Sequence, residues 1–463
     1  MSCHPVAGAA SFCDSAAQGF PFSGFSRTSS GRLRTLAITA LFAAAVLAGA
    51  IDPANSTKVR AEMPIPERNA AQADREQARG SLVIMGGSER FDNRVIWSEI
   101  VKQAGGDGSR IAVFPTASGA PQVDGDDVVR ILKEEGADAF LVPLAIRGLD
   151  TDYRDVVRDP AIVESVRQSQ GVFFVGGEQA RIRQALVTPE GENTPLLEAV
   201  WHVYRDGGVV AGTSAGAAVM SRIMFRSAQS VLNTMQHGVT MGREIDYGLG
   251  FLDPDWFVDQ HCLVRGRFAR ALVAMHDQGF GFGFGIDEDT ALVVAGDQAR
   301  VIGYRGVLVF DLSDASSDPK LAPFNLKNAR LSYLDRGDSI HLRTLRISPS
   351  PEKQAGRRVV PAAADFRPRF RQRPVFNDIL GNMAVHDLMV KLVDNRSDEG
   401  LGLAFDGAAA LAGPTAGFEF RFYRGDDSEA WQTEAFGGDD YTVANIHVDV
   451  SPVQLVGPLY TKR

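Results

Sequence analysis

The segment from Val209 to Ala217, VVAGTSAGA, decides the reading of this chain. The apolar run Val209–Ala211 has the length and β-branching of a buried strand, and a helical stretch follows from Ala217. Between them Gly212-Thr213-Ser214-Ala215-Gly216 spells G-x-S-x-G at a strand-to-helix turn. A nucleophile on such a turn needs small neighbours, because its backbone is strained and closely approached by other chain. The turn also brings the N–H of Ala215 near a developing oxyanion, at a helix N-terminus that favours negative charge. G-x-S-x-G also arises by chance as an ordinary tight turn, so its surroundings carry weight.

Those surroundings repeat the pattern. Short apolar runs at Ser81–Met85, Ile111–Pro115, Ala139–Leu144 and Val172–Val175 alternate with helix candidates at Arg94–Ala104, Asp127–Glu135, Ile162–Gln168 and Pro195–Arg205. Strand-helix alternation predicts a doubly wound, mostly parallel sheet in three layers. Continuous apolar strands fit burial on both faces. After Phe280 the rhythm changes to Ala291–Ala295, Ala299–Ile302 and Val307–Leu312, read as an antiparallel extension of that sheet, with Leu331–Ile347 supplying two more strands. Residues 348–374, rich in Pro, Arg and Ala, read as a linker or arm. Residues 375–463 read as a small accessory region with one helix, Ala384–Val393, and β-like runs at Gly417–Tyr423 and Asn445–Val450. The patch GFGFG at Gly281–Gly285 is the one stretch of low complexity.

At the other end, Arg32 and Arg34 precede an apolar run from Thr35 to Ala50 that closes on Ala48-Gly49-Ala50. A basic flank, a short apolar stretch and a small-x-small exit are the parts of a secretory signal. The run is shorter than the roughly 20 residues of a spanning helix. Residues 1–50 are therefore read as leader and signal, 51–79 as a linker and 80–347 as the main domain. The expected location is extracellular or periplasmic, with no stable membrane association once the signal is gone. Without Arg27, Arg32, Arg34 and Asp14, the 48 basic and 57 acidic residues of the full chain become 45 and 56. That acidic balance speaks against nucleic acid and suits a cationic partner. Cys262 is then the only cysteine, so no internal disulfide is expected.

A serine needs a base, and seven histidines follow the leader. His261 stands out because it follows a β-like run, Trp256–Val258, within Asp259-Gln260-His261, where a strand end on the same edge of the sheet would bring it to Ser214. Arg265, Arg267 and Arg270 come next; in a helix starting near Val264, Arg267 and Arg270 would share a face, and arginines beside the histidine could clamp carboxylates; a solvated basic helix is the plainer alternative. Gly176-Gly177-Glu178-Gln179 could supply a second oxyanion N–H and a substrate contact. Gly285-Ile286-Asp287-Glu288-Asp289 offers acids that could orient His261, or merely a solvated turn.

Taken in order, these segments resemble the cyanophycinases, within the serine-peptidase group that includes aspartyl dipeptidase. The resemblance covers roughly Gly80–Ile347 and rests on Gly86-Gly87, GGEQ at 176–179, GTSAGA at 212–217, Asp259-Gln260-His261 with its three arginines, and GIDEDTA at 285–291. It implies a class I glutamine-amidotransferase-like fold, Ser214 as nucleophile, His261 as base and Glu288 as its orienting acid, with Asp246 in reserve. It further implies Gly177 and Ala215 as oxyanion donors, and Gln179, Asp259, Gln260, Arg265, Arg267 and Arg270 as the substrate pocket. The implied substrate is cyanophycin, a poly-aspartate chain with arginine on each side-chain carboxyl, released as β-Asp-Arg without metal or other cofactor; a homodimer is common in such proteins. Cys262 stands where an aromatic residue is expected, Glu178 where Asp is frequent, and the chain beyond Ile347 exceeds the usual length. Competing expectations are an aspartyl or isoaspartyl dipeptidase and a non-catalytic polymer-binding protein of the same fold. No HEXXH, P-loop or GxGxxG is present.

Overall fold

A computed structural model describes residues 80–457. The leader, the signal and the linker expected at 1–79 lie outside the described residues, as do the last six. The strands in chain order are β1 (Ser81–Met85), β2 (Arg110–Phe114), β3 (Asp138–Leu141), β4 (Gly171–Phe174), β5 (Val209–Thr213), β6 (Ile223–Phe225), β7 (Ile245–Tyr247), β8 (Trp256–Gln260), β9 (Phe282–Ile286) and β10 (Thr290–Ala295). They continue with β11 (Gln298–Gly303), β12 (Val307–Asp311), β13 (Leu326–Leu334), β14 (Ser339–His341), β15 (Ile347–Ser348), β16 (Arg357–Val359), β17 (Val375–Phe376), β18 (Glu399–Phe405), β19 (Thr415–Thr433) and β20 (Asp440–Leu455).

The first sheet runs β15-β14-β11-β10-β1-β5-β4-β2-β3. Its β1, β5, β4, β2 and β3 are parallel, and β10, β11, β14 and β15 extend it antiparallel. The continuous apolar strands follow from burial on both faces. In β1, Leu82 and Ile84 enter a core with Phe114, Phe174 and Val210, while Val83 and Met85 enter another with Trp97, Ile100 and Phe173. Each such side chain contributes about 1.5–3 kcal/mol when fully buried. Two of the helices between these strands start on both a proline and a capping side chain, Pro160–Arg167 and Pro195–Arg205. Asp159 accepts from Ala161 and Ile162 N–H, and Thr194 from Leu197 N–H.

The antiparallel extension divides between two sheets, which corrects the expectation of one. A turn at Gly303, with φ of +106° and the Asp289 carbonyl 2.5 Å from where a Cβ would stand, redirects the chain. β12 then pairs with β9 and β13 instead of continuing the first sheet. The second sheet runs β17-β18-β19-β20-β13-β12-β9-β8, with β16 against β19. The low-complexity GFGFG is therefore a buried strand, β9. At Gly283 an added Cβ would stand 2.8 Å from Met275 Sδ, and at Gly285 it would fall on Cys262 Sγ. One face of the second sheet joins the first sheet's core through Val258, Phe284 and Val309. The other packs Phe310, Phe418 and Phe420 against helices Phe268–Gln278 and Ala384–Val393.

Residues 348–457 do not form a linker and a separate accessory region. The long strands β19 and β20 pair with each other, and β20 pairs with β13. Lys353 is fully buried, its Nζ 3.0 Å from both carboxylate oxygens of Asp338, while the Thr442 hydroxyl donates to the same carboxylate at 2.6 Å. The Met383 N–H donates to Leu263 O at 3.1 Å, and Gly266, at φ +58°, leaves no room for a Cβ against the Leu380 backbone. The C-terminal segment thus supports the loop that carries Arg265 and Arg267.

Candidate active site

Ser214 follows β5 with φ 51° and ψ −104°, and it caps a one-turn helix, Ala215–Ala218. Such backbone costs about 1–3 kcal/mol and persists only where packing over-determines it. Both glycines of the motif are dictated by that packing. A Cβ at Gly212 would stand 2.6 Å from Gly216 O, and one at Gly216 would fall on Phe174 O. The Ser214 N–H donates to Met85 O at 3.1 Å, which fixes the turn against the end of β1. As the first residue of a helix, Ala215 has an N–H without an intrahelical acceptor. Gly176 brings the second glycine turn beside it, 3.4 Å from Ser214 Cβ by its own missing Cβ. Gly177, at φ +137°, leaves no room for a side chain against Ala117 O.

The candidate base, His261, follows a strand of the second sheet, not of the first as expected. His261 follows β8 with φ 50°, and its N–H donates to Gly86 O at 2.9 Å, bridging to the end of β1. Its Nε2 lies 2.9 Å from Ser214 Oγ, and its Nδ1 lies 2.7 Å from Glu288 Oε1. With Nδ1–H donating to the carboxylate, Nε2 presents its lone pair to the hydroxyl. Burial holds the imidazole down at about 4, with Arg265 and Arg267 adding to the shift and Glu288 opposing it. The ring is therefore neutral at ordinary pH and able to accept a proton. Asp246 does not reach His261; it sits in β7, 3.5 Å from Arg183 and 3.8 Å from Arg226.

The three acids after β9 have three separate partners. Asp287, fully buried, accepts from the N–H groups of Leu263 and Val264 at 3.1 and 3.0 Å and so fixes the turn after His261. Glu288 takes His261. Asp289 accepts from Arg90 N–H at 3.1 Å and from the Asn93 amide at 2.8 Å. Sequence pattern pointed to the acidic run but did not distinguish these roles, which depend on one-residue changes of direction in a turn.

The remaining candidates form one connected wall. Arg270 and Asp259 make a buried two-bond ion pair, 2.7 Å at each contact, and the guanidinium lies 4.2 Å over the Phe225 ring. The Gln179 amide donates to Phe225 O. Arg267 donates to Gln260 O at 3.1 Å and to its Oε1 at 2.6 Å, with no carboxylate partner among the described residues. Burial first, then Arg270, lowers it to about 10. Arg265, half exposed, stands 3.5 Å from Glu288. Cys262 is a free, fully buried thiol pushed well above its usual range by burial; its small Sγ occupies the space over Gly285. Among the described residues no group of three or more His, Cys, Asp or Glu could hold a metal ion. Glu89, which sequence reasoning missed, accepts from the Thr213 hydroxyl and from Gly87 N–H.

A serine on an elbow, a neutral histidine and a carboxylate in one row are the parts of a serine hydrolase. A model of peptidase family S51 matches residues 82–302. The cyanophycinase of Nostoc sp. (strain PCC 7120) is 31% identical over 276 residues, which cover 58% of this chain and 87% of that protein. The cyanophycinase of Geminocystis herdmanii is 34% identical over 284 residues, covering 58% and 96%. A crystal structure of a peptidase from an acI-B1 Actinobacterium, 22% identical, superposes with a TM-score of 0.42 over 57% of this chain and 98% of that one. This chain belongs to peptidase family S51 and is a serine-type peptidase.

Proposed function

We propose that the chain is a secreted exopeptidase that hydrolyses cyanophycin to β-Asp-Arg dipeptides through an acyl-enzyme on Ser214. One observation carries the mechanism: Ser214 Oγ, His261 and Glu288 stand in line at 2.9 and 2.7 Å, with the arginine wall alongside. The similarity to cyanophycinases carries the choice of polymer.

Ser214 Oγ adds to the scissile carbonyl carbon while its proton passes to His261 Nε2. The N–H groups of Ala215 and Gly177 take the resulting oxyanion. The C–N bond then breaks, the electron pair leaves with the amine, and His261 returns the proton to that nitrogen. Water, deprotonated by the same imidazole, adds to the ester and releases the acid, restoring Ser214. Glu288 stabilises the imidazolium at each stage. Arg267, whose guanidinium bonds only Gln260 among the described residues, receives an α-carboxylate such as the one each arginine of cyanophycin carries. Arg270 is neutralised by Asp259 and shapes the pocket; Gln179 and Arg265 flank it. The parallel half of the first sheet, with helices on both faces, is read as the class I glutamine-amidotransferase-like layer arrangement. Secretion rests on the apolar run at 35–50, and the homodimer on the family resemblance.

The test is release of soluble β-Asp-Arg from insoluble cyanophycin by the wild-type protein and by Ser214→Ala. Loss of a serine nucleophile costs on the order of 10⁶ in kcat, so the variant is expected to release essentially nothing. Cleavage of short Asp-X peptides without attack on the polymer would turn the reading to an aspartyl or isoaspartyl dipeptidase. Equal release by both proteins would end it.

A further inference from the structure

The mechanism above leaves one carboxylate beside the site without a role. Glu89 lies two residues beyond Gly87, in the turn that follows β1. Gly87 N–H donates to its Oε1 at 2.6 Å, and the Thr213 hydroxyl donates to its Oε2. These two donors belong to the two segments that hold the catalytic row. On one side, Gly86 O accepts His261 N–H at 2.9 Å and Gly87 O accepts Asp289 N–H at 3.0 Å, next to Glu288. The His261 ring lies so close to Gly87 that a Cβ there would fall on it. On the other side, Thr213 immediately precedes Ser214.

We propose that Glu89 is a positioning residue that ties the Gly86-Gly87 turn to the end of β5 and so sets the approach of His261 to Ser214. The proposal rests on the reading of Ser214 as nucleophile. Two strained residues, Ser214 and His261, come from different sheets, and each is anchored by its own N–H to the end of β1 or the turn after it. Glu89 is the side chain that bonds both flanking segments at once. The charged groups around it are Asp289, the Arg90 that pairs with Asp289 at 3.1 Å, and His261 beyond Gly87. Burial above all, with Asp289 adding, raises the carboxyl to about 7, and the hydrogen bonds from Thr213 and Gly87 oppose that shift.

The test uses a fluorophosphonate, which forms a bond from Ser214 Oγ to phosphorus as fluoride leaves and needs no polymer. Its rate is measured for wild type, Glu89→Leu, Glu89→Gln and Thr213→Val, with Ser214→Ala as control, and kcat and KM for β-Asp-Arg release are measured alongside. A misplacement of about 1 Å costs on the order of 10²-fold, so Glu89→Leu is expected to lower labelling and kcat by about that factor with KM nearly unchanged. Glutamine offers an oxygen to Gly87 and an amide to Thr213 Oγ1 and is expected to restore most of the rate. Thr213→Val, which removes one bond without changing the strand, falls between. Wild type labelled at Ser214 with Leu and Val variants equally fast would overturn the proposal, as would a glutamine variant as impaired as leucine. Labelling that persists in Ser214→Ala would overturn the reading of the nucleophile, and the proposal with it.

Discussion

The two large sheets differ in how they are built and in what they give the site. The first is centred on short parallel strands buried on both faces, with β10, β11, β14 and β15 added antiparallel, and it delivers Ser214 from the end of β5. The second is a mostly antiparallel sheet whose last two strands have 19 and 16 residues, and it delivers His261 and Glu288 from the ends of β8 and β9. The row of Ser214, His261 and Glu288 therefore crosses from one sheet to the other. Any change that moves one sheet against the other should be felt in the rate before it is felt in the fold.

The largest effect is expected within the second sheet's contribution. Glu288→Gln keeps the shape but loses the carboxylate that fixes the imidazole tautomer. By analogy with asparagine at the acid of other triads, kcat should fall by about 10⁴. Asp246→Asn, which loosens ion pairs with Arg183 and Arg226 and removes no bond to His261 among the described residues, should change kcat less than about twofold. Matched kinetics on the two variants check the assignment; the opposite ranking would move the acid to Asp246 in β7, which pairs with β6 outside both large sheets.

Next in size is stability. Lys353 and Asp338 are both fully buried and paired, and Asp335 stands 3.7 Å from the ammonium. Lys353→Met leaves two carboxylates without their cation, which should cost about 3–5 kcal/mol. Denaturant unfolding measures it. If residues 348–457 brace the arginine loop, kcat/KM should fall as well; an unchanged rate in a destabilised protein would separate the two regions functionally.

The smallest effect is in pH dependence. His261 is held at about 4 by burial and by Arg265 and Arg267. A lowered pKa keeps the base neutral down to that value, and protonation below it removes the lone pair that Ser214 needs. The acid limb of kcat/KM should thus lie well below the ordinary histidine value, and Arg265→Ala should move it upward. A limb near 6.5 in the wild type would contradict the burial argument.

The first sheet was readable because buried parallel strands are short, continuous and punctuated. Ser81–Met85 appears with the expected bounds, and the helix Pro195–Arg205 starts and stops where its proline and its last basic residue suggest. The second sheet was hard to read for the opposite reasons. In β9 the side chains that would mark a strand are replaced by glycines, because Met275 and Cys262 fill their places. β19 carries Gly425, Asp426 and Asp427 at a register shift against β20, which reads as a break in any pattern. His261 and Glu288 were legible as motif members, although not as members of a second sheet. Asp287 and Glu89 were not singled out, because their partners are backbone N–H groups and a hydroxyl distant in sequence or hidden in a turn.

The central claim is that a serine from one sheet and a histidine from the other act as a unit, and a double-mutant cycle tests it most directly. Turnover of cyanophycin would be measured for wild type, Ser214→Ala, His261→Ala and the double variant. If the two side chains share one step, either single change removes the whole contribution, on the order of 10⁶ in kcat, and the double variant is no slower than the singles. Losses that multiply in the double variant would mean that Ser214 and His261 contribute independently, and the relay across the sheets would be contradicted.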